Sequence, residues 1–357
     1  MRYLWKLPPN RVRRNYMGGA GIDWFHGQQS GIDGDRPEEW IASMVEARNP
    51  GLEEILQEGY GFLDLDGRRI LLKDEIAAAP EFYLGAEHCR KKGLDMGFLF
   101  KILDSSMRLH VQAHPTAEFA RTYMGTPYGK LECYYILHVR PGVRPYIRLG
   151  FQHAPTKEEW RQIIERQDMD AMDGCFEPVP VEEGQVWYIP GGMPHAIGEG
   201  ILMLEIMEPS DLVTRCEFER EGIVVPPEAR FMGRGLDFCL NLFDYREYSV
   251  EEIRKRCSVI PYTLEKGDGY WLEQLIDETV TSCFEVKRLR VAKSVSLRGG
   301  RIQIGVVVKG TVTLQCGDVM TRLIRGDSFL IAAAADTCVF RADGGQEAEV
   351  CLVTPGQ

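Results

Sequence analysis

The segment that most constrains the fold of this chain spans residues 184–195, Gly-Gln-Val-Trp-Tyr-Ile-Pro-Gly-Gly-Met-Pro-His. Its first half predicts a β-strand, because Val186 and Ile189 suit a pleated, half-buried surface. Pro190 and the two glycines after it end that strand, since proline cannot donate to the ladder and glycine permits a sharp turn. The segment therefore predicts a strand, a tight turn and then His195 at the start of the next stretch.

Two other strand-like stretches carry polar side chains at alternate positions. Gln112 and His114 are two residues apart, as are Lys130 and Glu132, so each pair points to one face of its strand. With His195, they offer two imidazoles, one carboxylate and one amide oxygen, a donor set that suits Zn²⁺ and leaves a position for water or substrate. Each pair alone also fits a lumen residue satisfied by water or a solvated strand face. The combination with the turn favours a metal site.

The spacing Gly-x5-Pro-x-Gly-x2-His resembles the second motif of the cupins, small β-barrels that hold a metal inside. Among cupins, the chain is most similar to the type I mannose-6-phosphate isomerases. The likeness is strongest from Phe98 to Arg215. It rests on Gln-x-His-Pro at 112–115, Lys-x-Glu at 130–132, Pro-x-Gly-x-x-His-Ala at 190–196 and Glu-Ile…Ser-Asp…Arg at 205–215.

This resemblance implies a zinc-dependent aldose–ketose isomerase that converts mannose 6-phosphate to fructose 6-phosphate through an enediol. It implies four metal ligands: Gln112, His114, Glu132 and His195. Arg215 is the expected cation that stabilises negative charge on oxygen. Lys130 and Glu205 are both candidates for proton transfer, because burial and neighbouring charges bring the pKa of either group towards neutrality. Lys101 and Glu39 are second-rank candidates, each of which also fits an ordinary ion pair.

Departures from the family pattern lie at the expected substrate end. His110 stands where the family has a serine near the substrate phosphate, and Glu208 adds a negative charge beside Ser210-Asp211. Two alternatives therefore stay open: an isomerase of another sugar or sugar phosphate, and a non-catalytic zinc cupin that binds sugars. An iron dioxygenase fits less well, because an amide ligand beside a glutamate is unusual for such sites.

The predicted architecture is mainly β, with two cupin (jelly-roll) barrels joined by a helical linker. The expected domains are residues 1–215 with the metal, a linker at 216–257, and a second barrel at 258–357. Residues 326–337 form a faint repeat of 184–195, in which Ala332, Ala334 and Thr337 replace Pro190, Gly192 and His195. Because no histidine follows His195, the second barrel is expected to be free of metal.

Local patterns also predict individual elements. Expected helices cover 52–58, 116–123, 232–243 and 251–256. A further helix is expected to begin at the capping box Thr156-Lys-Glu-Glu159. Expected strands cover 282–289, 303–308, 311–315 and 328–331, with hairpin turns at Lys309-Gly310 and Gly317-Asp318.

The composition of the chain limits its possible binding partners and its cellular compartment. A chain of 357 residues has room for two cores, and its net charge of −11 argues against nucleic acid or an anionic membrane as a partner. A sugar phosphate is not excluded, because one small basic pocket suffices. No membrane span or signal peptide is expected. The ten cysteines lack a Cys-x-x-Cys pair and predict free thiols in a reducing cytoplasm. The oligomeric state is not predictable.

Overall fold

The structure is a computed structural model that describes residues 2–65 and 67–356. Met1 and Gln357, the outer bounds of the predicted domains, lie outside the described residues. The chain is mainly β, as predicted.

The strands are short and almost all of them pair antiparallel. They are β1 Leu4–Lys6, β2 Arg11–Val12, β3 Glu38–Ile41, β4 Phe62–Leu65, β5 Arg68–Leu71, β6 Leu99–Ser105, β7 Gln112–Ala113, β8 Glu132–Val139, β9 Tyr146–Leu149, β10 Val179–Pro180, β11 Val186–Ile189, β12 His195–Ile197, β13 Ile201–Met207, β14 Thr214–Arg215, β15 Glu219–Arg220, β16 Ile223–Val224, β17 Ser258–Val259, β18 Tyr262–Gly267, β19 Tyr270–Ile276, β20 Phe284–Val291, β21 Ser294–Arg298, β22 Gln303–Lys309, β23 Thr311–Cys316, β24 Val319–Ile324, β25 Ser328–Ile331, β26 Thr337–Ala342 and β27 Ala348–Pro355.

The helices are also short. They are α1 Ala20–Phe25, α2 Leu72–Ala78, α3 Pro80–Leu84, α4 Ala86–Lys92, α5 Ala117–Met124, α6 Lys157–Arg166, α7 Met169–Gly174, α8 Leu236–Cys239 and α9 Val250–Cys257, with a 3₁₀ turn at Pro227–Ala229. None of the helices among the described residues is long and apolar enough to span a bilayer.

Two large sheets of seven strands form the centre of the molecule. The first large sheet has the order β17-β11-β8-β13-β6-β3-β2, and the second large sheet has the order β1-β25-β22-β27-β20-β19-β18. Smaller sheets, β10-β9-β12-β7-β14 and β21-β26-β23-β24, complete the layers. The N-terminal strand β1 belongs to the second large sheet, where it pairs with β25.

Apolar clusters hold the layers together. One face of each large sheet packs on the other large sheet, where Phe100 and Ile102 meet Val286 and Ile304. The opposite face of each packs on its own small sheet, so each half has an interior of its own. Burying side chains of this size stabilises the fold by about 1.5–3 kcal/mol each. The polar residues described below lie in the interior of the first half.

Several predicted elements are confirmed. Helix α5 follows Thr116, whose side chain accepts a hydrogen bond from the Phe119 amide. Helix α6 begins with the predicted capping box at Thr156 and Glu159. Helix α9 and strands β20, β22, β23 and β25 also match their predictions within a few residues, and Gly317 lies in the hairpin between β23 and β24.

Three local predictions are wrong, each for a backbone reason. Residues 52–58 form turns, because a short segment flanked by two glycines with positive φ has no partner for its apolar side chains. In 232–243, Gly233 and Gly235 adopt φ of 70° and 80°, so only α8 is helical. The Lys309-Gly310 turn does not close a hairpin, because β22 and β23 belong to different sheets.

The cysteine prediction is wrong for one pair. Cys316 and Cys338 form a disulfide, while the other eight cysteines are free. The two residues lie directly opposite each other on β23 and β26, with Cα atoms 4.5 Å apart. Their spacing in the sequence gives no sign of this pairing.

Candidate active site

The polar group with metal-ligand chemistry lies between the first large sheet and its small sheet. Glu132 is the first residue of β8, and His195 opens β12, where it pairs with Gln112 of β7. The predicted turn after β11 folds back on the neighbouring strand, where the Gly192 amide donates a hydrogen bond of 2.7 Å to the His114 carbonyl. Gly192 has a φ of 85°, which favours glycine at this position.

Three buried side chains converge there. Ligand atoms of His114, Glu132 and His195 all lie within 4.8 Å of one another. The Nε2 of His114 lies 3.1 Å from Oε1 of Glu132, and the Nε2 of His195 lies 3.5 Å from Oε2. Gln112 is adjacent, with its Nε2 at 3.4 Å from the Nε2 of His195. The structure therefore brings together the four residues predicted as ligands.

The hydrogen bonds of the two histidines point their free nitrogens at Glu132. The Nδ1 of His114 donates to the Leu212 carbonyl at 2.8 Å, and that of His195 donates to the Met193 carbonyl at 3.0 Å. Each Nε2 is left with a lone pair that faces the carboxylate. Burial, followed by the charge of Lys130, lowers the pKa of His114 to about 3, and burial also lowers the pKa of His195. Both imidazoles are neutral near pH 7, the form that binds a metal.

The carboxylate of Glu132 is held in its ionised form, which can bind a cation. Burial would raise the pKa of Glu132, but Lys130, His114 and His195 together outweigh it and hold the pKa well below its ordinary value. Tyr134 donates a hydrogen bond of 2.6 Å to Oε2, whereas the buried Oε1 has no well-aligned hydrogen bond among the described residues. The Nζ of Lys130 lies 3.1 Å from Oε1. A carboxylate oxygen and imidazole lone pairs that face one another repel unless a cation lies between them. This arrangement therefore fits a metal ion held by these residues.

A buried chain of charges continues from the metal group along the first large sheet. Lys101 lies between two carboxylates, with its Nζ 2.8 Å from Glu205 and 3.2 Å from Glu38. Burial lowers the pKa of Lys101, but the two carboxylates outweigh this and raise it overall, so it stays charged. Burial, only partly offset by Lys101, raises the pKa of Glu205 to about 8. Glu205 thus has a pKa suited to taking up and releasing protons near neutrality.

The metal group and the charge chain line one cavity, and two arginines also line it. Arg215 pairs with Gln112 in the strand ladder and donates a 2.7 Å hydrogen bond to the Ala229 carbonyl. Its side chain and that of His110 face the cavity, and burial lowers the pKa of His110 to about 4. Arg14 contacts Glu38 at 3.0 Å and Asp211 at 3.5 Å. The cavity has a volume of about 50 Å³.

Two predicted residues lie elsewhere. The carboxylate of Glu39 contacts the His26 ring at 3.0 Å and does not line the cavity. Glu208 also lies outside the cavity, where it accepts a hydrogen bond from the Leu131 amide. Lys130, Glu205, Lys101 and Arg215 line the cavity.

Sequence reasoning missed several polar residues of the cavity wall, among them Arg14, Tyr16, Glu38 and Tyr134. Glu38 accepts hydrogen bonds from Tyr16 and Trp40, both at 2.6 Å, in addition to its two cationic partners. The only signal was the adjacent pair Glu38-Glu39 on one strand. Alternation shows that the two face opposite sides, but not which one faces the interior.

Comparisons with known proteins point to one family. No family model matches the sequence. Mannose-6-phosphate isomerase ManA of Bacillus subtilis is 30% identical over 237 residues, which are 65% of this chain and 68% of that protein. The probable mannose-6-phosphate isomerase GmuF of Bacillus subtilis is 38% identical over 117 residues, 33% of this chain, and the match spans about a third (35%) of that relative's length.

Solved structures show the same fold. The mannose 6-phosphate isomerase of Bacillus subtilis superposes with a TM-score of 0.73 at 18% identity, over 99% of both chains. A zinc-bound mannose 6-phosphate isomerase superposes with a TM-score of 0.70 at 15% identity, over the full length of both chains. The match to ManA covers more than two thirds of that enzyme, so the chain belongs to the mannose-6-phosphate isomerase family.

Proposed function

We propose that this protein is a zinc-dependent isomerase that converts mannose 6-phosphate to fructose 6-phosphate. The observation that carries the proposal is the convergence of His114, Glu132 and His195 beside the buried pair Lys101–Glu205. The relatives' names supply the substrate class, and a zinc-bound neighbour of the same fold supports the choice of metal.

Zinc suits the donors present. Two neutral imidazoles and a carboxylate are typical ligands of catalytic Zn²⁺, and the amide of Gln112 is available as a fourth donor. When bound, the ion acts as a Lewis acid that stabilises negative charge on a substrate oxygen.

The chain's own residues account for the remaining chemistry. Exchange between an aldose and a ketose moves one proton between neighbouring carbons and another between their oxygens. We assign the carbon-bound proton to Glu205, because it is the cavity carboxylate with a pKa near neutrality. Lys101 holds this carboxylate in place, and Lys130 is the second candidate for proton transfer. Arg215 presents a fixed positive charge to developing negative charge on the substrate.

The architecture we propose is a pair of cupin barrels, one around each interior. The metal-binding barrel corresponds to most of residues 1–215, the linker to 216–257 and the metal-free barrel to most of 258–357. Strand β1 is an exception that belongs to the second large sheet, and β17 is an exception that belongs to the first. We further propose a sugar phosphate as the partner, neither nucleic acid nor membrane, and a cytoplasmic location, for which the eight free cysteines are the support.

A second candidate function is the same isomerisation of a different sugar. His110 favours it, because a neutral imidazole at the cavity wall beside Arg215 gives this wall a different shape and hydrogen-bonding pattern from a serine. A panel of free and phosphorylated aldoses, followed by ketose formation, tests both candidates. Turnover of mannose 6-phosphate above all others supports the first proposal, and preference for another aldose supports the second.

We predict that Arg215→Lys lowers kcat by about 10–100-fold, somewhat less than removal of a donor from an oxyanion site. Lysine keeps the charge but loses the planar fork that also bonds to Ala229. Steady-state kinetics on mannose 6-phosphate and mannose check this. A rise in KM confined to the phosphorylated sugar, with kcat unchanged, would instead assign Arg215 to the phosphate.

We predict that Thr337→Ala leaves zinc content and turnover near those of the wild type. Thr337 is exposed at the start of β26, so its loss should change the free energy of unfolding by no more than about 0.5 kcal/mol. Metal analysis, turnover and denaturant unfolding measure the three quantities. A large loss of turnover in folded, zinc-loaded protein would contradict a metal-free second half.

A further inference from the structure

The second half of the molecule contains a cleft at the same place in its sheet as the candidate active site in the first half. Both large sheets have seven strands, and the faint repeat identified in the sequence places β25 where β11 lies. Ile189 of β11 pairs with Glu132, and Ile331 of β25 pairs with Gln303. Gln303 therefore occupies the position of the metal-binding carboxylate.

The equivalence extends across the next strands in register. In the first large sheet, Glu205 pairs with Tyr134 on one side and with Lys101 on the other. In the second large sheet, Leu352 pairs in the same way with Gly305 and with Lys287. Two residues before Glu132 and Gln303 lie Lys130 and Arg301. The two lysine positions of the active site thus both keep a cation in the second half.

The carboxylates of the active site are not kept. Glu132 becomes a neutral amide, and leucine replaces Glu205. Glu38, which pairs with Leu103, corresponds to Leu272, which pairs with Leu289. Three acidic groups that balance lysines in the first half are therefore replaced by uncharged side chains in the second.

These substitutions line an open cleft of about 440 Å³. Lys287, Arg298 and Arg301 contribute three cations to its wall, and Glu265 is the one carboxylate among the lining residues the structure describes. Outside the lining, Glu285 contacts Arg301 at 2.8 Å and Lys287 at 3.3 Å. Arg298 is exposed and forms no ion pair within residues 2–65 and 67–356. Its guanidinium is available for a ligand.

We propose that this cleft is a metal-free binding site for a small anion that carries a phosphate or carboxylate group. Arg298 presents a planar pair of donors of the kind that such groups accept. The guanidinium of Arg301 already donates to Glu285 and to the Pro355 carbonyl, so this residue and Lys287 contribute positive charge to the wall. Leu272, Leu297 and Leu352 provide an apolar surface for the rest of the ligand. The site is separate from the isomerase centre and does not depend on turnover.

Equilibrium dialysis of the full-length, zinc-loaded protein tests this, with inorganic phosphate and citrate as separate probes. We expect two classes of anion site in the wild type. Arg298→Gln should weaken the second class at least about tenfold, as expected for the loss of a charge-assisted hydrogen bond. Lys309→Gln, an exposed change on the same sheet, is the matched control and should leave both classes intact. Lys287→Gln should weaken the same class as Arg298→Gln.

The two probes separate the ligand chemistries, because loss of citrate binding alone assigns a carboxylate and loss of phosphate binding alone assigns a phosphate. Isomerase kinetics of Arg298→Gln should equal those of the wild type. The proposal is overturned if wild type and Arg298→Gln bind both probes identically, or if a single class is found that disappears on removal of His114.

Discussion

His114→Ala and His195→Ala should each lose zinc and reduce turnover by more than about 100-fold. Loss of a residue that only hydrogen-bonds to a metal ligand typically costs up to about 100-fold, and loss of the ligand itself should cost more. Each change deletes one of three converging donors in a fully buried group, where water is a poor replacement. Metal analysis after gel filtration and initial rates on mannose 6-phosphate measure the two effects.

His153→Ala is the matched control for these two variants. His153 is exposed and its ring lies 3.5 Å from the Glu177 carboxylate, so the variant should keep its zinc and its rate. Stoichiometric zinc in both His114→Ala and His195→Ala would show that these residues do not hold the metal.

Glu205→Gln should lower kcat by about 100–10,000-fold while zinc remains bound, the range expected for loss of a general acid–base group. Glutamine keeps the size of the side chain but cannot carry the proton. The carboxylate acts as the base only when it is ionised. The kcat/KM of the wild type should therefore rise with pH, with a midpoint between 4.5, the ordinary pKa of a glutamate, and about 8, the raised pKa of Glu205. A bound divalent cation moves this midpoint towards the lower end.

The rising limb should be absent from the pH profile of Glu205→Gln. Glu208→Gln is the matched control, since Glu208 is also buried and burial raises its pKa too, yet it lies outside the cavity. A pH profile unchanged in Glu205→Gln would assign the proton transfer to another group, with Lys130 the first to test.

Part of the candidate metal site was predictable, because strand alternation and one turn fix the positions of the candidate ligands within their own segments. Gln112 and His114 share a strand face, and the glycines after Pro190 let the chain present His195 opposite them. The alternation and the turn are local relations that a spacing rule describes, whereas the pairing of β12 with β7 that brings the segments together is long-range.

The charge chain behind the metal was not predictable in the same way. Lys101 meets Glu205 only because β6 and β13 pair in one particular register, which the sequence does not show. Glu38 rather than Glu39 faces the interior for a similar reason, because the choice depends on how β3 pairs with β6. Long-range register therefore decided which acidic residues reach the site.

The fold was predictable in class but not in all connections. Alternating apolar residues indicated the strands of the second half, whereas the pairing of β1 with β25 joins residues more than 300 positions apart. No local pattern announces such a pairing. Residues 52–58 show the opposite case. Their apolar residues have helical spacing, but Leu52, Ile55 and Leu56 are exposed and have no surface to pack against.

The most direct test of the whole account is a zinc titration of the chelator-stripped protein, read by conversion of mannose 6-phosphate to fructose 6-phosphate. We predict that stripping abolishes turnover, and that activity returns in proportion to added zinc until one ion is bound per chain. Full turnover in metal-free protein, or no fructose 6-phosphate from the zinc-loaded protein, would contradict the account.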